Sequence, residues 1–411
     1  MQDTGSPLKQ PTGVRKLAAG ASALLPQIEV DPAVPKDSAP ARRAGVSASS
    51  RARAVFIINP AGVGEHGGMG RMVRYLLDSW SRIPDAPKVR VLDSRGSGSA
   101  IWSPFFLARI VLEILVAWAR GQVRLLHINM AENTSVVRKG TVVLLGRVLK
   151  IPTLLHLHAG LFIDFYESLP AVAKFGVRQV FRQADHVAVL GEVWRRYLVE
   201  RLGIPGHKVS VLYNGVASAP PRRPPSDPSV TRLVFVGKLR PEKGLVELFE
   251  VLARPEFTTR NWRLTLVGEG DRDRFETLGA ALGIASKLRF TGWLEQQAVH
   301  EELRDADIFV LPSHYEGMPL GVLEALSAGV PVVTTSVGAL PEVLQNGESA
   351  LLVPPKMREP LAKALDTLMS DPQLRARLSA AGPSLFARHF SIDSYARGIV
   401  SLYERVAPSH G

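Results

Sequence analysis

The stretch His314-Tyr-Glu-Gly-Met-Pro-Leu-Gly-Val-Leu-Glu-Ala-Leu-Ser-Ala-Gly-Val-Pro331 decides the fold. It follows an apolar run of strand length at 308–311 and leads into another at 330–334. Pro319 suits the first turn of a helix, where its fixed φ is already helical and its missing N–H costs nothing. Glu316 then lies in the strand–helix loop. Glu324 lies inside the helix, about 7.5 Å further along its axis than Pro319. Between them the helix start offers free N–H groups and a positive dipole end, a setting that suits phosphate. One carboxylate can therefore accept bonds from hydroxyls on one side of a diphosphate, and the other from hydroxyls on its far side. Taken singly, Glu316 also reads as a helix cap and Glu324 as part of a solvated face. The string as a whole is more specific than either residue.

The same alternation extends outward in both directions. Short apolar runs at 54–58, 89–92, 125–128, 153–157, 186–190 and 209–212 precede it, then runs at 233–236, 263–267 and 288–290; 350–353 follows it. Near-continuous apolar runs are what strands buried on both faces require. Segments of helical length separate most of them, the pattern of parallel βαβ units. The alternation is interrupted once, by Ala219-Pro-Pro-Arg-Arg-Pro-Pro-Ser-Asp-Pro228, whose five prolines forbid a helix and make a stiff connection. The chain divides accordingly. Residues 1–52, rich in Pro, Ala, Ser and Gly without periodicity, read as a disordered tail. Residues 53–215 form a first Rossmann-like α/β domain, 216–230 a linker, 231–385 a second such domain, and 386–411 a helical end. Two α/β units imply a cleft between them, a common place for ligands.

Bulk properties narrow the class further. The 411 residues include no cysteine, which excludes disulfides and thiolate metal sites. With no secretory signal peptide in view, the expected compartment is the cytosol. The net charge of +12 is unevenly spread: residues 55–215 carry 20 basic and 11 acidic groups, whereas 216–411 carry 22 and 23. A polyanion or an anionic membrane would be drawn to the first domain. The most apolar stretch, 101–119, contains Pro104, Arg109 and Glu113, which argues against a membrane span and for a buried or membrane-apposed amphipathic helix. No nucleic-acid motif accompanies the charge.

Three further motifs could carry chemistry. Phe235-Val-Gly-Lys-Leu-Arg-Pro-Glu-Lys-Gly244 places cations after a strand, where they could neutralise a diphosphate and stabilise a leaving nucleotide. Leu154-Leu-His-Leu-His-Ala-Gly160 ends a strand with two histidines on one face. A zinc pair is conceivable there, although no third ligand is evident nearby. Gly62-Val-Gly-Glu-His-Gly67 has the outline of a dinucleotide fingerprint, with Asp93 ending the next strand. A lone match is weak, and Asn59-Pro60 loosens the turn that such a fingerprint needs.

The two glutamates eight positions apart, in their E-G-M-P-L…L-E-A-L frame, resemble family 4 of the retaining glycosyltransferases, which have the GT-B fold. Val337-Gly-Ala-Leu-Pro-Glu-Val-Leu-Gln-Asn-Gly-Glu-Ser-Ala-Leu-Leu-Val353 continues the resemblance, with Ala350 where many members have glycine. Tyr213-Asn-Gly-Val216 is similar to the family's P-N-G-V element. The resemblance implies an α/β fold of two Rossmann-like domains facing a cleft, with the helical end packing back on the first domain. It implies that Glu316 contacts the hydroxyls of the transferred sugar and Glu324 the ribose, and that Gly317, Met318, Pro319 and Leu320 hold sugar and diphosphate by their backbone. Lys243 and Lys238 would stabilise the departing charge, Lys238 standing where the family usually has arginine and Arg240 being able to substitute. His158 would face the donor sugar and His156 would be structural, as in the H-x-H-G segment of bacterial exopolysaccharide transferases, where an acidic-aromatic stretch like Asp164-Phe-Tyr166 follows. Gly67 and Gly68 resemble the glycine pair opening the family's first helix, near donor phosphate or acceptor.

The reaction so implied moves a sugar from a UDP- or GDP-sugar to a glycan or polyprenyl-diphosphate-linked acceptor, without cofactor or metal. The setting would be cell-surface polysaccharide synthesis on the inner face of the cytoplasmic membrane. The other readings are an NAD-dependent oxidoreductase built on Gly62, Gly64, Gly67 and Asp93, and a non-catalytic nucleotide-sugar-binding protein.

Overall fold

A computed structural model describes residues 53–408, apart from 61, 63–66, 85, 97–101 and 224–226. The expected tail at 1–52 and the centre of the dinucleotide-like glycine motif lie outside the described residues.

The first lobe runs β1 (Ala54–Asn59), α1 (Gly68–Trp80), β2 (Val89–Asp93), α2 (Ser103–Ala119), β3 (Val123–Met130) and α3 (Thr134–Leu149). It continues with β4 (Thr153–Leu157), α4 (Phe162–Ser168), α5 (Ala171–Gln183), β5 (His186–Val189), α6 (Glu192–Glu200) and β6 (Val209–Val211). The second lobe runs β7 (Thr231–Val236), α7 (Leu245–Leu252), α8 (Pro255–Thr258), β8 (Trp262–Val267), α9 (Arg272–Ala281) and β9 (Leu288–Gly292). It then adds α10 (Gln296–Arg304), β10 (Ile308–Leu311), α11 (Leu320–Ala328), β11 (Val332–Thr335), α12 (Leu340–Val343) and β12 (Leu351–Val353). Three helices end the chain: α13 (Arg358–Ser370), α14 (Pro372–His389) and α15 (Ile392–Val406).

All twelve strands anticipated from the apolar runs are present. They form two six-stranded parallel sheets, ordered β2-β1-β3-β4-β5-β6 and β12-β11-β10-β7-β8-β9. Strands β4, β5, β10 and β11 are buried along their whole length, so their sequences are mostly apolar from end to end rather than alternating, with His156 and His186 buried among them. Burying a large apolar side chain such as Phe309 or Phe235 stabilises the fold by about 1.5–3 kcal/mol. In each sheet the chain reverses direction once, between β1 and β3 and between β7 and β10. At such a reversal the flanking loops part and leave a crevice at the carboxyl ends of the strands.

The stretch at 101–119 is a helix, α2, and no described helix is long and apolar enough to cross a membrane. Right-handed crossovers put α2, α3 and α5 on one face of the first sheet and α1 on the other, where α15 packs against it. The contact is specific: Tyr403 on α15 lies 2.7 Å from His127 Nδ1, and Arg124 donates to Glu404 at 2.6 Å. The proline-rich connection does not swing free. Arg222 and Arg223 donate backbone N–H groups to Ala328 and Arg304, and their guanidinium groups pair with Asp307, Glu301 and Asp305.

Candidate active site

The two crevices face one another across a cavity of about 400 Å³. Its floor on the second lobe is the loop after β7, with Gly237 and Lys238, and the loop between β10 and α11. Helix α11 begins at Leu320, so Pro319 stands at the N-cap, one residue earlier than its sequence suggests. No side chain caps this helix, and its first N–H groups remain available at the cavity, where Pro319, Leu320 and Gly321 line the wall.

Glu316 does not serve as that cap. Its Oε1 accepts from Lys243 Nζ at 2.6 Å and from Ser313 Oγ at 2.8 Å. Lys243 reaches it from a 3₁₀ turn at Pro241–Lys243, ended by Gly244. The pair is only partly buried, 22% and 12% exposed, and both residues line the cavity. Lys238 also lines it and is exposed. Arg240 does not: it turns to Glu242, 3.7 Å away, which leaves the two lysines as the second lobe's cations at this point among the described lining residues.

Glu324 is placed differently from its partner in the motif. Every residue of α11 is buried, which excludes the solvated-face reading. The carboxylate accepts a hydrogen bond from Tyr75 of α1, and Arg71 of the same helix stands 3.6 Å from Oε1. Its Oε2 is buried with no hydrogen-bond partner among the described residues. Burial, followed by the Glu324 charge, raises the Tyr75 pKa, so the phenol stays protonated as a donor. Glu324 is thus the one anticipated site residue that does not itself line the cavity; it sits directly behind the wall.

The first lobe supplies the opposite wall. Gly67 and Gly68 open α1 at the cavity, followed by Arg71, Arg74, Tyr75 and Asp78. These four polar residues share one helical stripe at spacings of three and four, opposite the apolar Met72, Val73 and Leu76. That stripe is a signal the motif reading passed over. His158 follows β4 and lines the cavity, whereas His156 is wholly buried within the strand. The rings lie 4.0 Å apart, and His156 Nδ1 is 3.3 Å from His127 Nε2. Burial lowers the pKa of His158 to about 4 and that of His127 to about 3, and lowers that of His156 as well. All three imidazoles are neutral at pH 7.

The lobes touch at the centre of the site. A β-carbon on Gly160 would lie 2.8 Å from the backbone of Glu316, so only glycine allows this approach. Gly338, at φ +61°, packs equally tightly on the other side of Glu316. Asn214 donates to the Met318 carbonyl at 2.8 Å. Glu342 accepts from the backbone N–H groups of Glu192 and Val193, each at 2.8 Å, and so caps α6 of the first lobe from the second. Asp93 is spent locally: its Oδ1 accepts from Arg95 and Gly96 N–H groups, which weakens the dinucleotide reading.

Two facing Rossmann-like lobes with a cation-lined cavity at both reversal points are the architecture of a GT-B glycosyltransferase. Residues 221–385 match the family described as glycosyl transferases group 1, and residues 66–219 match glycosyltransferase family 4. The chain belongs to the family 4 glycosyltransferases. It is 30% identical to glycogen synthase of Mycobacterium tuberculosis over 54% of each chain. It thus spans about half the length of the curated relatives it matches first. Among solved structures, sucrose-phosphate synthase of Thermosynechococcus elongatus superposes with a TM-score of 0.71 at 20% identity, over 86% of this chain and 98% of that one. HepE of Anabaena, in complex with UDP-glucose, gives 0.66 at 17% identity, over 86% and 99%.

Proposed function

We propose that the chain transfers a sugar from a nucleoside-diphosphate sugar to an acceptor hydroxyl, with retention at the anomeric carbon. The observation that carries this reading is the uncapped start of α11 beside Lys238 and Lys243, which together suit a diphosphate at the base of the cavity. The UDP-glucose complex of HepE supports a donor of that class. Glu316, held by Lys243 and Ser313, takes the sugar hydroxyls, and the backbone of 317–320 follows the sugar and diphosphate. Glu324, directly behind the wall, takes the ribose through its unpartnered Oε2. The anomeric C–O bond to the diphosphate breaks with its electron pair going to the phosphate oxygen. The acceptor oxygen bonds to the same face of the anomeric carbon and gives its proton to the leaving phosphate. Positioning supplies much of the rate, since well-oriented reactants can gain about 7–11 kcal/mol. Nucleoside-diphosphate release should follow incubation with one UDP- or GDP-sugar of a panel, and the anomer formed should match the donor by NMR. NADH binding without such release would favour an oxidoreductase, and nucleotide-sugar binding without turnover a binding protein.

The acceptor in this proposal is a glycan on a lipid carrier, such as a polyprenyl diphosphate, met at the inner face of the cytoplasmic membrane during cell-surface polysaccharide synthesis. The outer face of α2, α3 and α5 supports it. Trp102, Phe105 and Leu112 on the first, Val137 and Val148 on the second, and Val172 and Phe175 on the third are all more than 60% exposed. The helices adjoin, with Arg138 bonded to Ser103 and Trp118 to the Leu149 carbonyl. Besides the buried Lys139 they carry six basic residues and one acidic, Glu113, which is paired with Arg90 and Arg109. Apolar side chains ringed by cations suit an anionic bilayer, each basic group near the surface contributing about 1 kcal/mol and fading with salt. The protein should float with anionic vesicles at low salt, less at high salt, and not with neutral ones. Failure to float at low salt would replace the membrane with a soluble acceptor, and self-association through this face would appear instead as a dimer in sedimentation.

A further inference from the structure

A chain of amides runs along the carboxyl edge of the first sheet, and its order is forced from one end. Asn59, at the end of β1, is wholly buried, and its side-chain nitrogen faces the carbonyl oxygens of Gly62 at 2.6 Å and Pro60 at 3.3 Å. Carbonyl oxygens only accept, so the atom facing them must be the NH₂ group, and Oδ1 is left as the acceptor. Asn129, near the end of β3 and also buried, must then present its own NH₂ to Asn59 Oδ1, at 3.1 Å. Its Oδ1 is consequently turned toward His158 Nε2, 3.2 Å away. An acceptor at that position requires a proton on Nε2. In a neutral imidazole the other nitrogen, Nδ1, is then deprotonated. The backbone N–H of His158 is also fixed, donating to Met130 at 2.8 Å.

We propose that Asn59 and Asn129 are positioning residues that hold His158 as the Nε2-protonated tautomer, so that its Nδ1 accepts a hydrogen bond from a hydroxyl of the bound sugar. The proposal rests on the reading of the cavity as a sugar-nucleotide site, and it assigns His158 the role of acceptor rather than donor or base. It also ties that residue to the backbone beyond β1, because the Gly62 carbonyl anchors the chain of amides.

The groups that face His158 leave the neutral form in place. His156 lies against it with Tyr395 stacked on the far side at 6.4 Å, and His127 beyond; both imidazoles are themselves held neutral by burial. Lys139 is buried behind the end of β1, bonded to the Ile58 carbonyl and Ser94. Across the cavity stand Lys238 and the Lys243–Glu316 pair. Burial places the protonation of His158 near pH 4, well below working pH.

Histidine-selective ¹⁵N NMR of the full chain at pH 7 tests the tautomer directly, with His158→Gln identifying the signals. The expected pattern for His158 is a neutral ring protonated at Nε2; a proton on Nδ1 would overturn the proposal. Asn129→Asp replaces a neutral acceptor by a charged one, which favours the imidazolium. The acid limb of its turnover profile should rise by at least about one pH unit relative to the unaltered protein, following the general effect of an adjacent carboxylate. At a pH between the two limbs, turnover should drop roughly tenfold for each unit of separation, as expected when one protonation abolishes the accepting lone pair. A parallel profile, lowered equally at every pH, would reduce Asn129 to a packing residue and overturn the proposal. Asn59→Leu removes the acceptor that orients Asn129 and should cost His158 its single tautomer, which gives a second reading if Asn129→Asp does not fold; an unchanged Nε2-protonated ring in that variant would overturn the role of Asn59. The spectrum needs no turnover, so absence of sugar transfer would defeat the proposed function while leaving the tautomer test intact.

Discussion

The two lobes contain the same kind of sheet and equip its rim in different ways. In the second lobe one strand–loop–helix unit supplies Ser313, Glu316, the backbone of 317–319 and the start of α11, and a single neighbouring turn adds Lys243. In the first lobe Asn59, Asn129 and His158 come from three different strands, and Arg71 and Tyr75 from a helix between two of them. A rim built on one segment leaves a continuous motif. A rim assembled from several leaves single residues that mean little until the strands pair. The cavity cations follow the same division, since Lys243 of the second lobe is tied to Glu316 of its own lobe while Arg71 and Arg74 of the first reach across to Glu324 and Glu295.

The largest effect that sharpens this comparison should come from the second lobe. Lys243→Ala removes the partner of Glu316 together with the proposed diphosphate contact, and charge-assisted hydrogen bonds are worth about 1.5–3 kcal/mol. Turnover should fall about 10- to 150-fold, and less for Lys238→Ala, whose ammonium makes no such pair among the described residues. Normal turnover in both variants would move the diphosphate elsewhere.

The first lobe should dominate the dependence of stability on pH. His127 and His158 titrate near 3 and 4 in the folded protein, against about 6.5 in the unfolded chain. Below pH 6.5 the unfolded state therefore binds more protons, so folding stability is complete above that value and is lost as pH falls toward 4. Each unit of separation is worth about 1.4 kcal/mol per group. Denaturation melts between pH 7 and 4 should show this loss, and His127→Gln should flatten the slope by about one proton. An unchanged slope in that variant would remove His127 from the account.

The smallest effects belong to the contact between the lobes. Glu324→Ala should weaken binding of free UDP or GDP about tenfold, the value of a hydrogen-bonded charged acceptor. Tyr75→Phe should do the reverse and tighten it a few-fold, since it removes a donor that competes with the ribose for Glu324 and a typical hydrogen bond contributes about 1 kcal/mol net. Calorimetry distinguishes the two signs. Weaker binding in the Tyr75 variant would make the phenol itself a nucleotide contact.

The sequence by itself determined the twelve strands of the two sheets, the proline-rich break between them and the strand–loop–helix unit that carries Glu316. Each rests on local physics: apolar runs buried on both faces, prolines that cannot continue a helix, and a loop whose glutamate and helix start are only a few residues apart. It also placed His158, because that histidine ends a strand. Only the tertiary structure decided that Glu324 is held by Tyr75 and Arg71, that Arg240 turns away from the cavity while Lys243 turns into it, and that the proline-rich connection is strapped to the second lobe by Arg222 and Arg223. It alone joined Asn59 to Asn129, 70 residues apart in sequence and one hydrogen bond apart in the folded chain. Burial and the choice of partner depend on which segments meet, and no pattern along a single segment carries that information.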